Sequence, residues 1–315
     1  MSTPGATIFR LISQRLSHYL HGKDLALRLA LICFFSKGHL LIEDLPGLGK
    51  TTLALGLAKI LGLDLSRIQC TNDLLPSDVT GVSVYDRDAG VFKFHPGPIF
   101  HNIVLVDEIN RASPKTQSAL LEAMGEKQVT VEGNSYLLPQ PFFVIATQNP
   151  AETFGVFPLP DSQLDRFAMR IQIGYPDRDA ERQILQGGSR RREIYSIEPV
   201  TSAEEILEMQ RAIRQDIYVS DAVMEYVLDV VEATRKSPFL RIGLSTRGAL
   251  ALINAAKADA YLGGRTYLSP ENVKFVAPYV ISHRVEFKEE YSRESALKKQ
   301  EVIKSILESI PVPVT

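Results

Sequence analysis

The sequence predicts an α/β fold, a five-stranded parallel sheet covered by helices, followed by a smaller helical domain. Five short apolar runs have strand length: HLLIE at 39–43, RIQC at 67–70, NIVLVD at 102–107, FFVIAT at 142–147 and RIQI at 170–173. Helical spacing of apolar residues lies between most of these runs, as in a parallel sheet covered on both faces. After residue 187 the strand pattern stops and helical spacing continues alone.

The helices of the first part follow from their apolar spacing and their start signals. Residues 6–20 and 23–36 show helical periodicity, and 50–62 is a helix rich in Leu and Ala. The segment SPKTQSALLEAM begins with Ser113, a favoured N-cap, and Pro114 suits the first helical turn. These helices alternate with the strands and are expected to cover the sheet.

Two segments alternate with a period of two and therefore predict inserted hairpins. One covers residues 80–100 around the turn DRDAG, and the other covers 127–141 around EGN. Both are expected to project from the sheet. Neither hairpin sequence shows an evident aromatic pair for gripping a substrate.

The second domain is predicted as a small bundle of helices at 202–214, 220–236, 245–262 and 269–282. Gly187 and Gly188, with the basic run 190–192, indicate a linker. The chain is thus divided into a first domain at 1–187, which carries both hairpins, and a helical domain at 188–315.

Composition is typical of an ordinary globular protein and excludes several classes. The chain has 315 residues, 45% apolar and 23% charged, with a net charge of −2, so no strongly basic surface indicates nucleic-acid binding. The longest apolar run, 25–35, contains Arg28 and is too short to span a membrane. No signal peptide is evident, and a cytoplasmic location is expected. Cys33 and Cys70 are expected to be reduced core residues.

The stretch EDLPGLGKT at 43–51 has the strand, turn and helix order of a phosphate-binding loop. Asp44 stands where that pattern usually has its first glycine, a position that tolerates another residue if its φ is negative. Lys50 is expected to meet the β- and γ-phosphates, and Thr51 to offer its hydroxyl to Mg²⁺. The predicted nucleotide-binding residues of the loop are Pro46, Gly47, Leu48, Gly49, Lys50, Thr51 and Thr52.

Two carboxylates end the buried strand IVLVDE. Asp107 is the predicted metal ligand, together with Thr51, and Glu108 is the predicted general base that polarises water. Acidic residues at a strand end are common. A pair at the end of the third predicted strand, in a chain whose first strand leads into a phosphate loop, is a specific indication of a nucleotide-hydrolysing site.

Five segments in this order resemble the MoxR family of AAA+ ATPases: EDLPGLGKT, VDEINRASPKTQSALLEAM, IATQNP, LPDSQLDRF and GLSTRGALALINAAKADAYLGGRTYLSPENV. The resemblance runs over nearly the whole chain. It implies an AAA+ P-loop αβα sandwich followed by a helical lid, with ATP and Mg²⁺ as ligands. The two hairpins would correspond to the family's helix-2 insert and pre-sensor-1 hairpin.

The resemblance also implies roles for single residues. Asn149 would be sensor 1, which orients the attacking water, although it could also shape the turn before Pro150. Arg166 would be the arginine finger that reaches a neighbour's γ-phosphate, or else a surface ion-pair partner. Arg247 would be sensor 2, carried on the lid. His21 and Gly22 match the segment whose backbone lines the adenine.

The function implied is ATP-driven, chaperone-like remodelling or maturation of a protein client by a ring, expected to be hexameric, often with a partner that contains a von Willebrand factor A domain. Two alternatives remain open, a magnesium-chelatase-like motor subunit and a nucleic-acid-remodelling AAA+ motor. A GTPase is disfavoured because no N-K-x-D motif occurs. Whether Arg111 or Lys115 acts across a subunit interface also stays open.

Overall fold

A computed structural model describes residues 3–152, 154–188, 190–292 and 294–313. The first part of the chain comprises α1 (Pro4–Leu16), α2 (Asp24–Phe35), β1 (Leu40–Glu43), α3 (Lys50–Ile60), β2 (Leu65–Gln69), α4 (Pro76–Thr80), β3 (Gly81–Asp86), β4 (Val91–Pro96), β5 (Ile103–Asp107), α5 (Pro114–Glu126), β6 (Gln128–Val131), β7 (Asn134–Leu137), β8 (Phe143–Gln148), α6 (Asp161–Leu164), β9 (Met169–Ile171) and α7 (Arg178–Gly187).

The second part comprises α8 (Ala203–Gln215), α9 (Asp221–Lys236), β10 (Leu240–Ile242), α10 (Thr246–Leu262), α11 (Pro270–Ile281), β11 (Glu286–Phe287), α12 (Glu289–Ser292) and α13 (Ala296–Glu308). Short 3₁₀ turns lie at Ile109–Arg111 and Arg190–Ser196.

The five predicted strands form one parallel sheet in the order β2-β5-β8-β1-β9. Alternate residues of each strand face opposite sides. Leu40 and Ile42 of β1 join the core that α2, α3 and the lid cover, whereas Leu41 between them joins the core beneath α5. The α/β sandwich is therefore confirmed. Because all strands run the same way, every loop that leaves a strand emerges at one edge of the sheet.

Local signals explain where the covering helices begin. Ser113 caps α5 by accepting a hydrogen bond from the Thr116 N–H (3.3 Å), and Pro114 occupies the first turn, as predicted. Gly49 precedes α3 with a φ of 94°, a left-handed conformation that glycine adopts without a steric penalty. This turn sends α3 back along the sheet directly after the phosphate-loop sequence.

Both predicted hairpins are present, as β3 with β4 and β6 with β7. Tyr85 and Phe92 stand directly opposite each other, their ring centroids 5.3 Å apart and their side chains largely exposed. The sequence showed no evident aromatic pair for gripping a substrate, and the structure corrects this for the first hairpin, because only the register set by the turn places the two rings opposite each other. Phe94 stacks on Tyr136 at 4.0 Å and so joins one hairpin to the other.

The lid is a helical domain, as predicted, and its four expected helices are α8 to α11. It also contains α13 and a short antiparallel ribbon of β10 with β11, which the sequence did not predict. Its helices pack on α1, α2 and β9, and one continuous apolar core joins lid and sheet. Two nitrogens of Arg28 in α2 donate to the same oxygen, Oδ1, of the buried Asp259 of α10 (2.7 and 3.1 Å), which adds an ion pair between lid and first domain.

The linker region lies between α7 and α8, and Ser189 within it is outside the described residues. The 3₁₀ turn that follows packs against α3, and the Val200 N–H donates to Ile60 O (2.9 Å). The chain therefore crosses back over the first domain before it enters the lid. The division at residue 187 stays a prediction.

Two further expectations concern the core and the membrane. Cys33 and Cys70 are buried and free, as expected. Across the described part of the chain, no helix is both long enough and apolar enough to cross a bilayer.

His39 is a buried histidine whose hydrogen bonds fix its protonation. Its Nδ1 accepts from the Val144 N–H (3.0 Å), and its Nε2 lies 3.2 Å from Met124 O. Only the neutral ring with its hydrogen on Nε2 satisfies both partners. Burial, the largest effect, lowers the pKa of His39 from its ordinary 6.5 to about 4.

This lowered pKa predicts a loss of stability in mild acid. Between pH 6.5 and pH 4 the unfolded chain binds a proton at His39 and the folded chain does not. The free energy of unfolding should therefore fall as the pH falls through this window, by about 1.4 kcal/mol per unit of pKa difference. His39→Gln should show a shallower fall in chemical denaturation, with the exposed His95→Gln as control. Equal slopes for wild type and His39→Gln would contradict the assignment.

Candidate nucleotide-binding site

The turn between β1 and α3 is built for a phosphate group. Gly47 and Gly49 have φ values of 83° and 94°, and a Cβ at either position would meet nothing within 4 Å. The glycines thus provide a left-handed turn beside open space at the N-terminus of a helix, where anions bind. Asp44 is absent from the residues with positive φ, as its place in the motif requires.

Lys50 begins α3 and turns its side chain back over this loop. Its Nζ donates a hydrogen bond to Asp44 O. Burial is the largest effect on Lys50 and lowers its pKa, whereas the carboxylates of Asp44, Asp107 and Glu108 oppose this change. An anionic phosphate in the turn would favour the charged form of Lys50 in the same way as these carboxylates.

A cavity of about 370 Å³ at the carboxyl edge of the sheet brings most of the predicted site together. Its lining comprises Pro46, Gly47, Gly49, Lys50, Thr51, Thr52, Arg67, Gln69, Asp107, Glu108, Thr147 and Asn149. Three parts of the predicted site therefore meet in one cavity: the phosphate loop, the paired carboxylates and the predicted sensor 1. They come from the ends of three different strands, β1, β5 and β8.

Asp107 ends β5 and is nearly buried. Arg67 Nε donates to its Oδ2 at 2.6 Å, and Thr147 Oγ1 lies 3.4 Å from its Oδ1. Thr51 lines the same cavity, so one hydroxyl and one carboxylate face the phosphate loop. Mg²⁺ in nucleotide sites takes one or two carboxylates, with phosphate oxygens and water completing its shell. The donor set fits Mg²⁺, and no cluster of three or more His, Cys, Asp or Glu suited to a metal occurs among the described residues.

Glu108 is held in an unusual backbone conformation. Its φ of 57° is left-handed, which costs a non-glycine residue about 1–3 kcal/mol, and its N–H donates to Thr147 Oγ1 (2.9 Å). Its carboxylate accepts from Gln69 Nε2 (3.0 Å) and from Arg111 (3.3 Å). Gln69 and Arg111 thus orient the side chain at the cavity, and Thr147 holds the backbone of the same residue. Arg111, whose role the sequence left open, here contacts the carboxylate of its own chain.

Sequence reasoning missed Arg67, Gln69 and Thr147. Arg67 and Gln69 stand two residues apart on β2, so both side chains face the same side, and a polar pair of this spacing within an apolar run was the available signal. Thr147 carries no comparable signal, because a threonine at the end of a strand is common.

A second cavity, of about 680 Å³, adjoins the phosphate loop and suits a nucleoside. His21, Pro46, Leu48 and Thr52 line it, and their contact with a nucleotide stays a prediction. Gly22 is next to it, with a φ of 67°, and a Cβ there would lie 3.1 Å from Ala180 Cβ. The far wall comprises Tyr175, Pro176, Glu181, Ile184 and Leu185, which the sequence did not identify.

Asn149 follows β8 and lines the phosphate cavity. Its Oδ1 also accepts a hydrogen bond from the Ala151 N–H (3.1 Å). The catalytic and the turn-shaping interpretations of this residue are thus compatible, because the local bond fixes the amide where it faces the cavity.

The predicted arginine finger and sensor 2 lie elsewhere. Arg166 precedes β9, so it stands at the amino edge of the sheet, opposite the phosphate loop, and the strand alone separates the two edges by roughly 13 Å. Its guanidinium donates to Leu121 O of α5 (2.6 Å). Arg247 of α10 lies 3.8 Å from Asp165, beside Arg166. The structure therefore groups these two arginines with each other and not with the loop of their own chain.

Asp44 has a second role that explains why a carboxylate occupies this position. Its Oδ2 accepts from the N–H groups of Ile173 (2.8 Å) and Gly174 (2.7 Å), and its Oδ1 accepts from Leu45 N–H (3.0 Å). Lys23 Nζ donates to the carbonyl of the same Gly174 (2.6 Å). The negative Asp44 and the positive Lys23 thus both hold the backbone at Gly174. The next residue, Tyr175, begins the far wall of the nucleoside cavity.

Comparisons with known proteins agree with this geometry. Residues 39–169 match the ATPase family associated with various cellular activities (AAA), and residues 232–306 match the AAA lid domain. The chain is 45% identical to the Bacillus subtilis protein YeaC, over 93% of this chain and 90% of that protein. It is 36% identical to the chaperone MoxR1 of Mycobacterium tuberculosis, over 93% and 79%. The crystal structure of a candidate ATPase from Cytophaga hutchinsonii superposes with a TM-score of 0.89 at 35% identity, covering 98% and 96%.

The contacts of Asp44 predict that the more common glycine would be harmful here. Asp44→Gly leaves three backbone N–H groups without their charged acceptor, and one such hydrogen bond contributes about 1.5–3 kcal/mol. The variant should lose this much in the free energy of unfolding and should bind ADP more weakly, as calorimetry would measure. Asp88→Gly, in the exposed hairpin turn, is the control. Unchanged ADP affinity and unchanged stability in Asp44→Gly would show that the hydrogen bonds of Asp44 to Ile173 and Gly174 have no effect on either property.

Proposed function

The chain belongs to the MoxR family of AAA+ ATPases, and we propose that it acts as a hexameric ring in which Mg²⁺-ATP is hydrolysed between neighbouring subunits to remodel or mature a protein client. The family makes the chain an ATPase. One observation carries the proposal of a ring. The phosphate loop lies at the carboxyl edge of the sheet, whereas the predicted arginine finger, Arg166, lies at the amino edge, with Arg247 of the lid, the predicted sensor 2, beside it.

At the carboxyl edge, the chain binds the nucleotide and prepares the attacking water. The loop and Lys50 hold the phosphates, and Thr51 with Asp107 would hold Mg²⁺, which screens phosphate charge. Glu108 takes a proton from water, and Asn149 orients that water. Gln69 and Arg111 both contact the Glu108 carboxylate, so they set where this base points.

At the amino edge, the chain supplies arginine side chains to the active site of the neighbouring subunit. Arg166 would meet the γ-phosphoryl oxygens bound by the next subunit, where it offsets the charge that develops during transfer. Arg247 lies beside it and would contact the same phosphates. Each active site is thus divided between two chains, and hydrolysis requires their association.

The name of the relative MoxR1 supports a protein client, because that protein is called a chaperone. The exposed pair of Tyr85 and Phe92 gives the first hairpin an apolar surface for such a client. A partner with a von Willebrand factor A domain remains part of the proposal, on the family resemblance.

The roles of Glu108 and Lys50 separate in kinetics. Glu108→Gln should bind Mg²⁺-ATP normally and lose roughly 10²-fold or more in turnover, because it removes only the base. Lys50→Ala should weaken nucleotide binding itself. The exposed Glu122→Gln of α5 is the control, and EDTA should stop hydrolysis by the wild type. Normal turnover in Glu108→Gln would remove this residue from the mechanism.

Mixing variants tests whether Arg166 acts on the neighbour. Lys50→Ala lacks a working loop but keeps its finger, and Arg166→Ala has the opposite defect. Each alone should be inactive, since a finger supplied by a neighbour contributes about 10³–10⁵ in rate. Mixed rings should regain activity wherever an intact loop meets an intact finger. Co-assembly without regained activity, or normal hydrolysis by Arg166→Ala alone, would show that Arg166 is not a finger acting between subunits.

A further inference from the structure

Arg284 of the lid is a buried arginine whose contacts converge on one short segment. It follows α11, and its side chain is 3% exposed. Nε donates to Asp165 Oδ1 (2.9 Å), one terminal nitrogen donates to the carbonyls of Ala168 and Val280 (both 2.8 Å), and the other donates to those of Phe167 (2.6 Å) and Asp165 (3.3 Å). Four of these five acceptors belong to residues 165–168.

Residues 165–168 carry Arg166 and have little regular structure of their own. The segment connects the end of α6 at Leu164 to the start of β9 at Met169. Arg284 therefore supplies partners that a helix or a sheet would otherwise provide. The neighbouring His283 adds a contact, because its Nε2 lies 2.9 Å from Phe167 O. A planar guanidinium fixes several acceptors at once, which a lysine ammonium cannot reproduce.

Asp165 links the buried Arg284 to the exposed Arg247 through its carboxylate, and to the half-buried Arg166 through the backbone. Its Oδ1 accepts from Arg284, and its Oδ2 lies 3.8 Å from Arg247. Arg166, the next residue, leaves the segment toward α5, where the absence of a side chain at Gly125 leaves room: a Cβ there would lie 3.0 Å from the guanidinium. Asp165 thus contacts Arg247 through its carboxylate and precedes Arg166 directly in the chain, so that one residue lies between the two arginines.

We propose that Arg284 and Asp165 are positioning residues, which hold Arg166 and Arg247 in the arrangement that meets the triphosphate bound by the neighbouring subunit. This inference rests on the proposed division of the active site between chains. Neither residue lines the phosphate cavity or the nucleoside cavity of its own chain. Substituting either residue should therefore slow hydrolysis in the neighbouring subunit, which depends on Arg166. Nucleotide binding by the substituted subunit itself should stay unchanged.

Two variants of different severity test the proposal. Asp165→Asn keeps the size and one acceptor of the side chain, and Arg284→Lys keeps the charge but loses the fork of donors. Both should bind ATP with wild-type affinity and lose roughly 10²-fold in kcat, the effect that a displacement of about 1 Å can have on a positioned group. Arg28→Lys is the matched control, since it weakens another ion pair between the lid and the first domain, to Asp259 and not to residues 165–168. It should lower the Tm and keep kcat.

Mixing experiments distinguish positioning of the finger from general damage. Asp165→Asn mixed with Lys50→Ala should regain activity, because the Lys50→Ala subunit supplies an intact finger to an intact loop, in about one interface in four. Asp165→Asn mixed with Arg166→Ala should stay inactive, since neither subunit supplies a correctly held finger. Arg284→Lys should follow the same pattern if it folds, as circular dichroism would show; Asp165→Asn suffices if it does not.

The outcomes separate this inference from the proposed function. If Lys50→Ala and Arg166→Ala complement each other but Asp165→Asn is fully active, or is rescued by Arg166→Ala, the positioning role is wrong and the divided site stands. If Lys50→Ala and Arg166→Ala co-assemble without regaining activity, the divided site itself is wrong, and the inference fails with it.

Discussion

The common direction of the five strands is the constraint on which the rest of this structure depends. In a parallel sheet, every group that follows a strand emerges at the same edge, and every group that precedes one emerges at the other. The phosphate loop, Glu108 and Asn149 follow strands, whereas Arg166 precedes β9. No rotation of side chains can bring Arg166 to the loop of its own chain. In the proposed ring, each subunit would supply Arg166 to one neighbour from one edge of its sheet. At the other edge, its own phosphate loop would receive the arginine of the other neighbour.

The edge strand β9 is short, and charged side chains hold the chain at both of its ends. Before it, Arg284 binds the carbonyls of residues 165–168; after it, Asp44 binds the N–H groups of Ile173 and Gly174. Buried charges contribute little net stability, because their desolvation offsets their attraction, but they tolerate few geometries. The segment that carries Arg166 is therefore connected to the lid on one side and to the phosphate loop on the other. A displacement of the lid would reach the Arg166 segment directly through Arg284, and a displacement of the phosphate loop would reach it through only the three residues of β9.

The sequence was sufficient where function depends on contiguous residues. The glycines, Lys50 and the carboxylates after β5 form local patterns with a direct physical meaning, and the five apolar runs predicted the sheet. It was insufficient where the partners are distant. Asp44 was interpreted only by its φ, because its acceptor role involves residues 129 and 130 positions away. The ribbon of β10 and β11 was missed because two or three residues are too few to show periodicity.

The docking of the lid was likewise beyond the sequence. The resemblance placed Arg247 on the lid, but only the packing of α10 and α11 against α2 and β9 brings it beside Asp165. In the single chain, both halves of the proposed site are engaged in local contacts: Arg166 donates to a backbone carbonyl, and Glu108 accepts from Gln69 and Arg111. The hydrogen bond of Arg166 joins a charged donor to a neutral carbonyl, whereas a phosphate would offer a charged acceptor and could accept two parallel hydrogen bonds from the guanidinium. In the proposed ring, a neighbour's triphosphate would therefore compete with the Leu121 carbonyl of α5 for Arg166, and the stronger of the two contacts would be the one between subunits.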